Sequence, residues 1–367
     1  MFKKLNYNQK LLTSFAIIIS IVFIGRSFYN SLAGGSDFET SYILAKSFWS
    51  GTDVFTLENK NPFYPHFWYL ILYPFVNLEF KTVKIIFFTL NLIFFYGSIF
   101  LLKINFRLNL NQVKILIILS VASTPFTNLT AIGNLSLFSL FFILIFYFYN
   151  SIFLKAVALS LAIAKYNMAF LFFIYVILSK QYKVICIFLT INILAVLFYF
   201  YYLDIGDFHK VFDPLVTLFN TINRQIAEGK DGINIGLFNI HNFLISLKLA
   251  NLYYYFFLSF IFTIIYLVKF SINSKEKIFI FLLFNTAVLV YHPIYDYVLL
   301  IPILAYILKN KSILKFFYLY LFSIFYVFYI YKINIILHSP VPKEIFSTIG
   351  MLLLFLSNYL ITFKEKI

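Results

Sequence analysis

Acidic side chains are concentrated beside the first apolar segment of a chain that is otherwise poor in charge. Five acids lie within or just after residues 34–74: Asp37, Glu39, Asp53, Glu58 and Glu79. Asp37 is followed at helical intervals by Phe38, Tyr42, Ala45 and Trp49, which predicts a short amphipathic helix beginning near Phe38 and capped by Asp37. A carboxylate there can be a helix cap, a solvated interfacial acid or a functional group such as a base. Asp53, Glu58 and Glu79 are interpreted as solvated loop charges.

A lysine interrupts an apolar stretch at "AKYNM", residues 164–168. Lys165 within apolar sequence is unfavourable unless it lines a wet cavity or pairs with an anion. The alternative is a lysine that snorkels from a helix end to the interface. Asn167 is expected on the same face as Lys165.

Two further polar interruptions separate apolar runs. "AIGNLS", residues 131–136, contains Gly133 and Asn134, which are typical of a tight turn. "VYHPIYDYVLLIP", residues 290–302, contains His292 and Asp296. These residues form either a polar hairpin with interfacial tyrosines or a site for a phosphate or hydroxyl group.

The sequence lacks the motifs typical of nucleotide binding, of serine hydrolases and of zinc peptidases. Nucleotide-binding glycine loops, GxSxG and HExxH are absent. His209 and His241, with the acids near them, do not match a metal-site spacing. The single cysteine, Cys186, lies in an apolar run and cannot form an intramolecular disulfide or a cysteine-based metal site. We therefore predict no metal site and no cofactor.

Composition predicts an all-α integral membrane protein. Mean hydropathy is +0.90 and 12% of the 367 residues are charged, against about 25% in soluble domains. Period-2 alternation is missing, which argues against an outer-membrane barrel. The net charge of +15 is explained by Lys and Arg in cytoplasmic loops, so no nucleic-acid partner is expected.

Apolar runs predict a polytopic bundle of about 12–13 spans. The predicted spans are 11–31, 83–102, 115–132, 135–151, 153–164, 166–179, 184–203, 250–268, 278–291, 296–308, 312–331 and 345–363. A further segment, 66–78, is short and is predicted to re-enter without crossing. The chain is interpreted as one membrane domain, 1–367, with amphipathic interfacial helices in its first outer loop.

Charge predicts the orientation of these spans. With the N-terminus cytoplasmic and the first span an uncleaved anchor, most Lys and Arg residues fall inside, together with only two acids, Glu276 and Glu365. This is the bias of the positive-inside rule. The outer face then carries loops 32–82, 204–249 and 332–344. Lys81 and Lys84 run against the rule, because this orientation places them outside.

The order of these motifs resembles a known family. "SDFETSYILAKSFWSGTDVF" followed by "FYPHFWYLILYPF" is similar to the start of GT-C membrane glycosyltransferases, closest to glycosyltransferase family 87. The matching positions are Asp37, Phe38, Tyr42, Ala45, Gly51, Phe55, Tyr64, Pro65, Pro74, Gly133, Asn134, Ala162, Lys165, His292, Asp296, Tyr297 and Pro302. The resemblance extends over roughly residues 10–305. The chain departs from the family pattern at His66, at Asn134 and at Tyr166-Asn167.

The resemblance implies a sugar transfer at the non-cytoplasmic face of the plasma membrane. The donor would be a polyprenyl-phosphate sugar, mannose by default, and a glycolipid or glycan hydroxyl would accept the sugar with inversion. Asp37 would be the catalytic base. The donor phosphate would be bound by Lys165, His292 and Arg224. The substrates would also contact Glu39, Tyr64, Asn134 and Asp296.

Other functions share parts of this pattern. A lipid-linked-glycan flippase or transporter would also have broken spans with polar residues, but no internal repeat is visible and the polar residues collect on one face. A polysaccharide polymerase or ligase would favour a large outer loop between late spans. A purely structural membrane protein would need neither Asp37 nor an intramembrane lysine. Asp37, Lys165 and His292 around one outward cavity would support the transferase.

Overall fold

All regular structure is helical in the part of the chain that the structure describes. A computed structural model describes residues 7–33, 37–57, 62, 64–217, 220, 253–270, 272, 274–289 and 294–310. Three helices in it are long and apolar enough to cross a membrane, α1 (Tyr7–Ala33), α4 (Phe80–Phe106) and α10 (Tyr182–Leu203). The predicted class, an all-α membrane protein, is confirmed.

Shorter helices connect and surround these three. They are α2 (Asp37–Trp49), α3 (His66–Ile71), α5 (Leu110–Val121), α6 (Thr124–Ile132), α7 (Ser136–Phe148), α8 (Ile152–Ala162), α9 (Tyr166–Leu178), α11 (Tyr253–Phe270), α12 (Lys275–Leu289) and α13 (Ile301–Lys309). Within the described ranges, four 3-10 helices lie between them, at Val54–Thr56, Tyr73–Phe75, Phe208–Phe212 and Ile294–Leu300. The predicted helix after Asp37 is therefore present as α2.

The predicted span 115–132 is not one straight helix. It is divided into α5 and α6, and the helix direction bends by 63° between them. The hydroxyl of Ser123 accepts a hydrogen bond from the Phe126 amide and begins α6. Pro125 follows in the first turn, where its missing N–H is tolerated. The sequence analysis did not predict this bend, because the cap and the proline hardly change the hydropathy of the run; α5 and α6 together can still form one bent span.

The predicted count of 12–13 spans exceeds the helices of spanning length among the described residues. These number three, or four if α5 and α6 form one bent span. Helices α7, α8 and α9 have 13, 11 and 13 residues, which gives lengths of about 16–20 Å against about 30 Å of hydrocarbon. The segment 66–78 forms the six-residue α3 and a 3-10 turn, too short to cross. Predicted spans 312–331 and 345–363 lie outside the described residues.

Two apolar clusters hold the bundle together. The larger joins α4 to α9 with α12 and α13, and α7 lies within it, packed against α4 and α8. The smaller includes Phe38 and Phe48 of α2, Trp68 of α3 and Tyr199 of α10. Helices α2 and α3 are therefore packed in place against α10.

Candidate functional site

Asp37 is held by an amide from a distant part of the chain. It is the first residue of α2 and is half-buried. Its Oδ2 accepts a hydrogen bond of 2.7 Å from Asn134 Nδ2. Asn134 follows Gly133, which ends α6 in the left-handed conformation with φ 68°. A β-carbon at Gly133 would lie 2.8 Å from the β-carbon of Phe38, so glycine permits both the turn and the close approach of α2.

The orientation of the Asn134 amide is fixed from its other side. Asn134 Oδ1 accepts a hydrogen bond of 3.1 Å from the backbone amide of Ser136. The Ser136 hydroxyl lies 2.6 Å from the same oxygen. Because the oxygen of the amide faces Ser136, its NH₂ group must face Asp37. Asn134 is thus a neutral donor directed at the carboxylate.

A buried ion pair lies on the far side of Ser136. Lys165 Nζ pairs with Asp296 Oδ1, and the two residues are 8% and 0% exposed. Lys165 also donates to Ser136 Oγ at 3.0 Å, and Asn167 Nδ2 donates to Asp296 Oδ2 at 2.8 Å. Ser136 Oγ also contacts Asp296. One polar network therefore runs from Asp37 through Asn134 and Ser136 to Lys165 and Asp296.

Breaks in the helices bring these residues together. Lys165 precedes α9 in an extended conformation, φ −118° and ψ 92°, and separates α8 from α9. Asn167 lies in the first turn of α9, and Asp296 in the 3-10 helix Ile294–Leu300. Ser136 is the first residue of α7. Each polar side chain thus sits at an end of an apolar helix.

Tyr64 lies close to both carboxylates of the network. Burial is the main cause that raises its pKa, and the negative charge of Asp37 raises it further. A hydrogen bond with Ser41 acts in the opposite direction, and Asp296 adds a smaller increase. Ser41 is four residues after Asp37 and shares its face of α2. The Tyr64 phenol therefore keeps its proton.

The other predicted site residues are not shown to join this network in the way the sequence analysis expected. Glu39 is half-buried in the first turn of α2, and residues two apart on a helix do not face each other. His292 and Arg224 lie outside the described residues. Lys165 was predicted to bind a donor phosphate; the structure pairs it with Asp296, and its role towards a phosphate stays a prediction.

Sequence reasoning missed Ser136 and misjudged Asp53. Ser136 completes the network together with Asn167, which was expected on the face of Lys165 but was given no role at the site. Asp53 was interpreted as a solvated charge, which is wrong. Its carboxylate accepts hydrogen bonds from Tyr199 at 3.0 Å and Lys210 at 2.8 Å. The sequence could not predict these contacts, because Tyr199 and Lys210 are 146 and 157 residues away from Asp53.

The network separates two kinds of carboxylate. Asp296 is fully buried and neutralised by Lys165, whereas Asp37 is partly accessible and held by a neutral amide. Such a partly accessible, oriented carboxylate can accept a proton from a bound hydroxyl. Among the described residues, no three His, Cys, Asp or Glu side chains are grouped to hold a metal ion.

Comparison with known families and proteins identifies the family of this chain. No curated protein and no solved structure matches the chain. The sequence pattern of glycosyltransferase family 87 matches residues 63–291, more than half of the chain. The matched range includes Tyr64, Asn134 and Lys165, while Asp37 precedes it and Asp296 follows it. The chain therefore belongs to glycosyltransferase family 87 and is a membrane glycosyltransferase.

Proposed function

We propose that the protein transfers a sugar, mannose by default, from a polyprenyl-phosphate donor to an acceptor hydroxyl at the non-cytoplasmic face of the plasma membrane. Asp37 is the catalytic base, and the anomeric configuration is inverted. The observation that carries this proposal is the partly accessible Asp37, whose carboxylate is oriented by Asn134 at the edge of a buried polar network.

Asp37 suits the base better than Asp296 does. Both oxygens of Asp296 contact protein groups, and the residue has no exposed surface. Asp37 is bonded through Oδ2 to an uncharged donor, and no ion pair with Asp37 occurs among the residues that the structure describes. A base must come within about 2.6–3.2 Å of the hydroxyl that it deprotonates, and Asp37 is accessible enough to do so.

The transfer is a single displacement at the anomeric carbon. The acceptor hydroxyl gives its proton to Asp37 while its oxygen bonds to the anomeric carbon. The bond from that carbon to the phosphate oxygen breaks on the opposite face, and the electron pair leaves with polyprenyl phosphate. Since the leaving phosphate is already a stable anion, it needs cations and hydrogen-bond donors rather than a general acid. No cofactor takes part in this scheme.

Replacing the base tests the proposal directly. We expect Asp37→Asn to lower transfer from polyprenyl-phosphate mannose at least about 100-fold, because general-base catalysis contributes roughly 10²–10⁴. The measurement is the appearance of labelled glycolipid product with the purified full chain in lipid nanodiscs. Wild-type activity is expected to persist in EDTA.

Asp204→Asn is the matched control. Asp204 is exposed and ends α10 in the left-handed conformation, φ 52°, which asparagine adopts readily. This variant removes the same charge and should keep full activity. Wild-type activity in Asp37→Asn would refute the base assignment. A wild-type protein that uses a nucleotide sugar and ignores polyprenyl-phosphate sugars would refute the donor.

A further inference from the structure

Two lysines converge at the end of α7 that is opposite to the polar network. Ser136 of that network is the first residue of α7, whereas Lys155 and Lys275 contact the last turn of the helix. Lys155 belongs to the first turn of α8, and Lys275 is the first residue of α12. Their ammonium groups are near enough to repel each other. Such a pair of like charges is unfavourable unless an anion lies beside it.

Both ammonium groups are held over neighbouring aromatic rings. Lys155 Nζ lies 6.0 Å from the centre of the Phe146 ring, and Lys275 Nζ lies 5.7 Å from the centre of the Tyr147 ring. Gln181, which precedes α10, accepts a hydrogen bond of 3.0 Å from Lys155 Nζ. The Tyr147 hydroxyl donates to the carbonyl oxygen of Lys275 at 2.5 Å. The two charges are therefore positioned by contacts with α7 and with the start of α10.

No carboxylate neutralises this lysine pair in the parts of the chain that the structure describes. The acid next to it in sequence, Glu276, pairs instead with Lys309 at 2.6 Å. Gln181 is neutral, and an ammonium group has three donors, so Lys155 can donate to a ligand as well. The N-terminus of α8 adds partial positive charge at the same place. The chemistry of the pair therefore fits an anion.

Exposed aromatic side chains surround the lysine pair in sequence. Tyr149, Phe153 and Tyr182 are 44%, 66% and 62% exposed. The first two flank the turn between α7 and α8, and Tyr182 follows Gln181 at the start of α10. Aromatic residues in such positions are typical of the membrane interface. An anion that reaches the lysines there and also covers the rings must carry a hydrocarbon part.

We propose that Lys155 and Lys275 bind the phosphate of an anionic phospholipid in the cytoplasmic leaflet. The predicted orientation places both lysines on the cytoplasmic side, where the leaflet carries negative charge and basic sites between helices bind lipid headgroups. The positive-inside rule explains why lysines occur on this side. It does not explain why two of them converge on adjacent rings without an acid. The inference goes beyond sugar transfer and does not depend on it.

Lipid photolabelling tests the site in the wild-type protein. The purified full chain is placed in phosphatidylcholine nanodiscs with a trace of a diazirine analogue of phosphatidylglycerol, and labelled peptides are mapped. We expect labels at the turn between α7 and α8, or at the starts of α10 and α12. Replacing a small fraction of the phosphatidylcholine by phosphatidylglycerol should suppress the labelling. The same fraction of phosphatidylethanolamine, which has no net charge, and inorganic phosphate in the buffer should not.

Variants test the two cations. Lys155→Gln should raise the phosphatidylglycerol fraction needed for half-competition about fivefold, the contribution of one lysine near an anionic lipid. Lys275→Gln should act alike, and arginine at either position should restore competition. Lys103→Gln is the matched control. Lys103 is exposed in the last turn of α4, on the same predicted side, and its loss should leave half-competition unchanged.

The outcomes judge the lipid site separately from the proposed function. Suppression by phosphatidylethanolamine, or equal effects of Lys155→Gln and Lys103→Gln, would overturn the site. Suppression by inorganic phosphate would mean that the lysines bind a soluble anion, which also contradicts the proposal. Because labelling requires no sugar donor, selective suppression by phosphatidylglycerol would uphold the site even if Asp37→Asn kept full transfer activity.

Discussion

Asp37 and Asp296 carry the same side chain and differ in everything that surrounds it. Asp296 is inaccessible, paired with Lys165 and bonded to Asn167, so its charge stabilises structure. Asp37 keeps partial access and receives a neutral donor from Asn134. The division of roles at this site thus follows from accessibility and partner charge, and Asn134 and Ser136 connect the two environments as positioning residues.

His66 gives a pH prediction at the residue scale. It lies in α3, 3% exposed, edge-on to Tyr199 at 4.7 Å. Burial lowers its pKa to about 4, and the nearby Asp53 only partly opposes this. Between pH 6.5 and 4 the unfolded chain therefore binds a proton that the folded protein does not, so stability falls as the pH falls, by up to about 3 kcal/mol from this residue.

The measurement compares thermal midpoints at pH 7.5 and 4.5 in wild type and His66→Phe, an aromatic replacement that does not titrate. The decrease on acidification should be smaller in the variant. Identical decreases in the two proteins would show that the folded state protonates His66 as readily as the unfolded chain does.

The sequence identified residues well where polarity interrupts hydrophobicity. Asp37, Asn134, Lys165 and Asp296 were each selected for that reason, and the structure joins them in one network. Asp53 was misjudged, because its partners Tyr199 and Lys210 are about 150 residues away. The local sequence shows that a polar residue interrupts an apolar stretch, but only the tertiary structure shows which groups form hydrogen bonds or ion pairs with it.

At the scale of elements, helix ends do the positioning. The turn between α6 and α7 presents Asn134, and the break between α8 and α9 presents Lys165. Hydropathy predicted the second break through its lysine. It missed the 63° bend between α5 and α6, since Ser123 and Pro125 barely lower the mean hydropathy of that run. Apolar composition was enough to predict that helices form here. The change of direction between α5 and α6 depended on the Ser123 cap and on Pro125, which composition does not show.

The Lys165–Asp296 pair should be essential to this arrangement. We expect Asp296→Leu to destabilise the protein by about 3–5 kcal/mol, because it leaves a buried, uncompensated ammonium. The double variant Lys165→Met with Asp296→Leu should lose much less than the two single variants together. Denaturant unfolding in mixed micelles, followed by circular dichroism, measures all three.

The Lys309–Glu276 pair offers the control for this cycle. Its two side chains are 29% and 32% exposed, with a contact of 2.6 Å. Solvent screens such a pair, so Lys309→Met should cost less than about 1 kcal/mol. Additive losses in the Lys165 and Asp296 variants would mean that the buried residues contribute independently and do not act as a pair.

At the scale of the whole molecule, six polar contacts fall into two groups, one at each predicted end of the helices. Contacts among residues assigned outside include Asp37–Asn134, Lys165–Asp296 and Asp53–Lys210. Contacts among residues assigned inside include Lys309–Glu276, Lys155–Gln181 and Lys114–Gln9. None of these six contacts joins an inside residue to an outside one. The alternation of helices deduced from charge is therefore consistent with the packing.

This arrangement predicts which positions face the outside of the cell. In a Cys186→Ala background, cysteine introduced at exposed Ser50 should react with a membrane-impermeant maleimide in intact cells. Cysteine at exposed Asn150, in the predicted inner turn between α7 and α8, should react only after permeabilisation. Labelling of both positions in permeabilised cells controls for accessibility. The reverse pattern would place Asp37 on the cytoplasmic side, where a donor lipid and acceptor of the outer leaflet could not reach it.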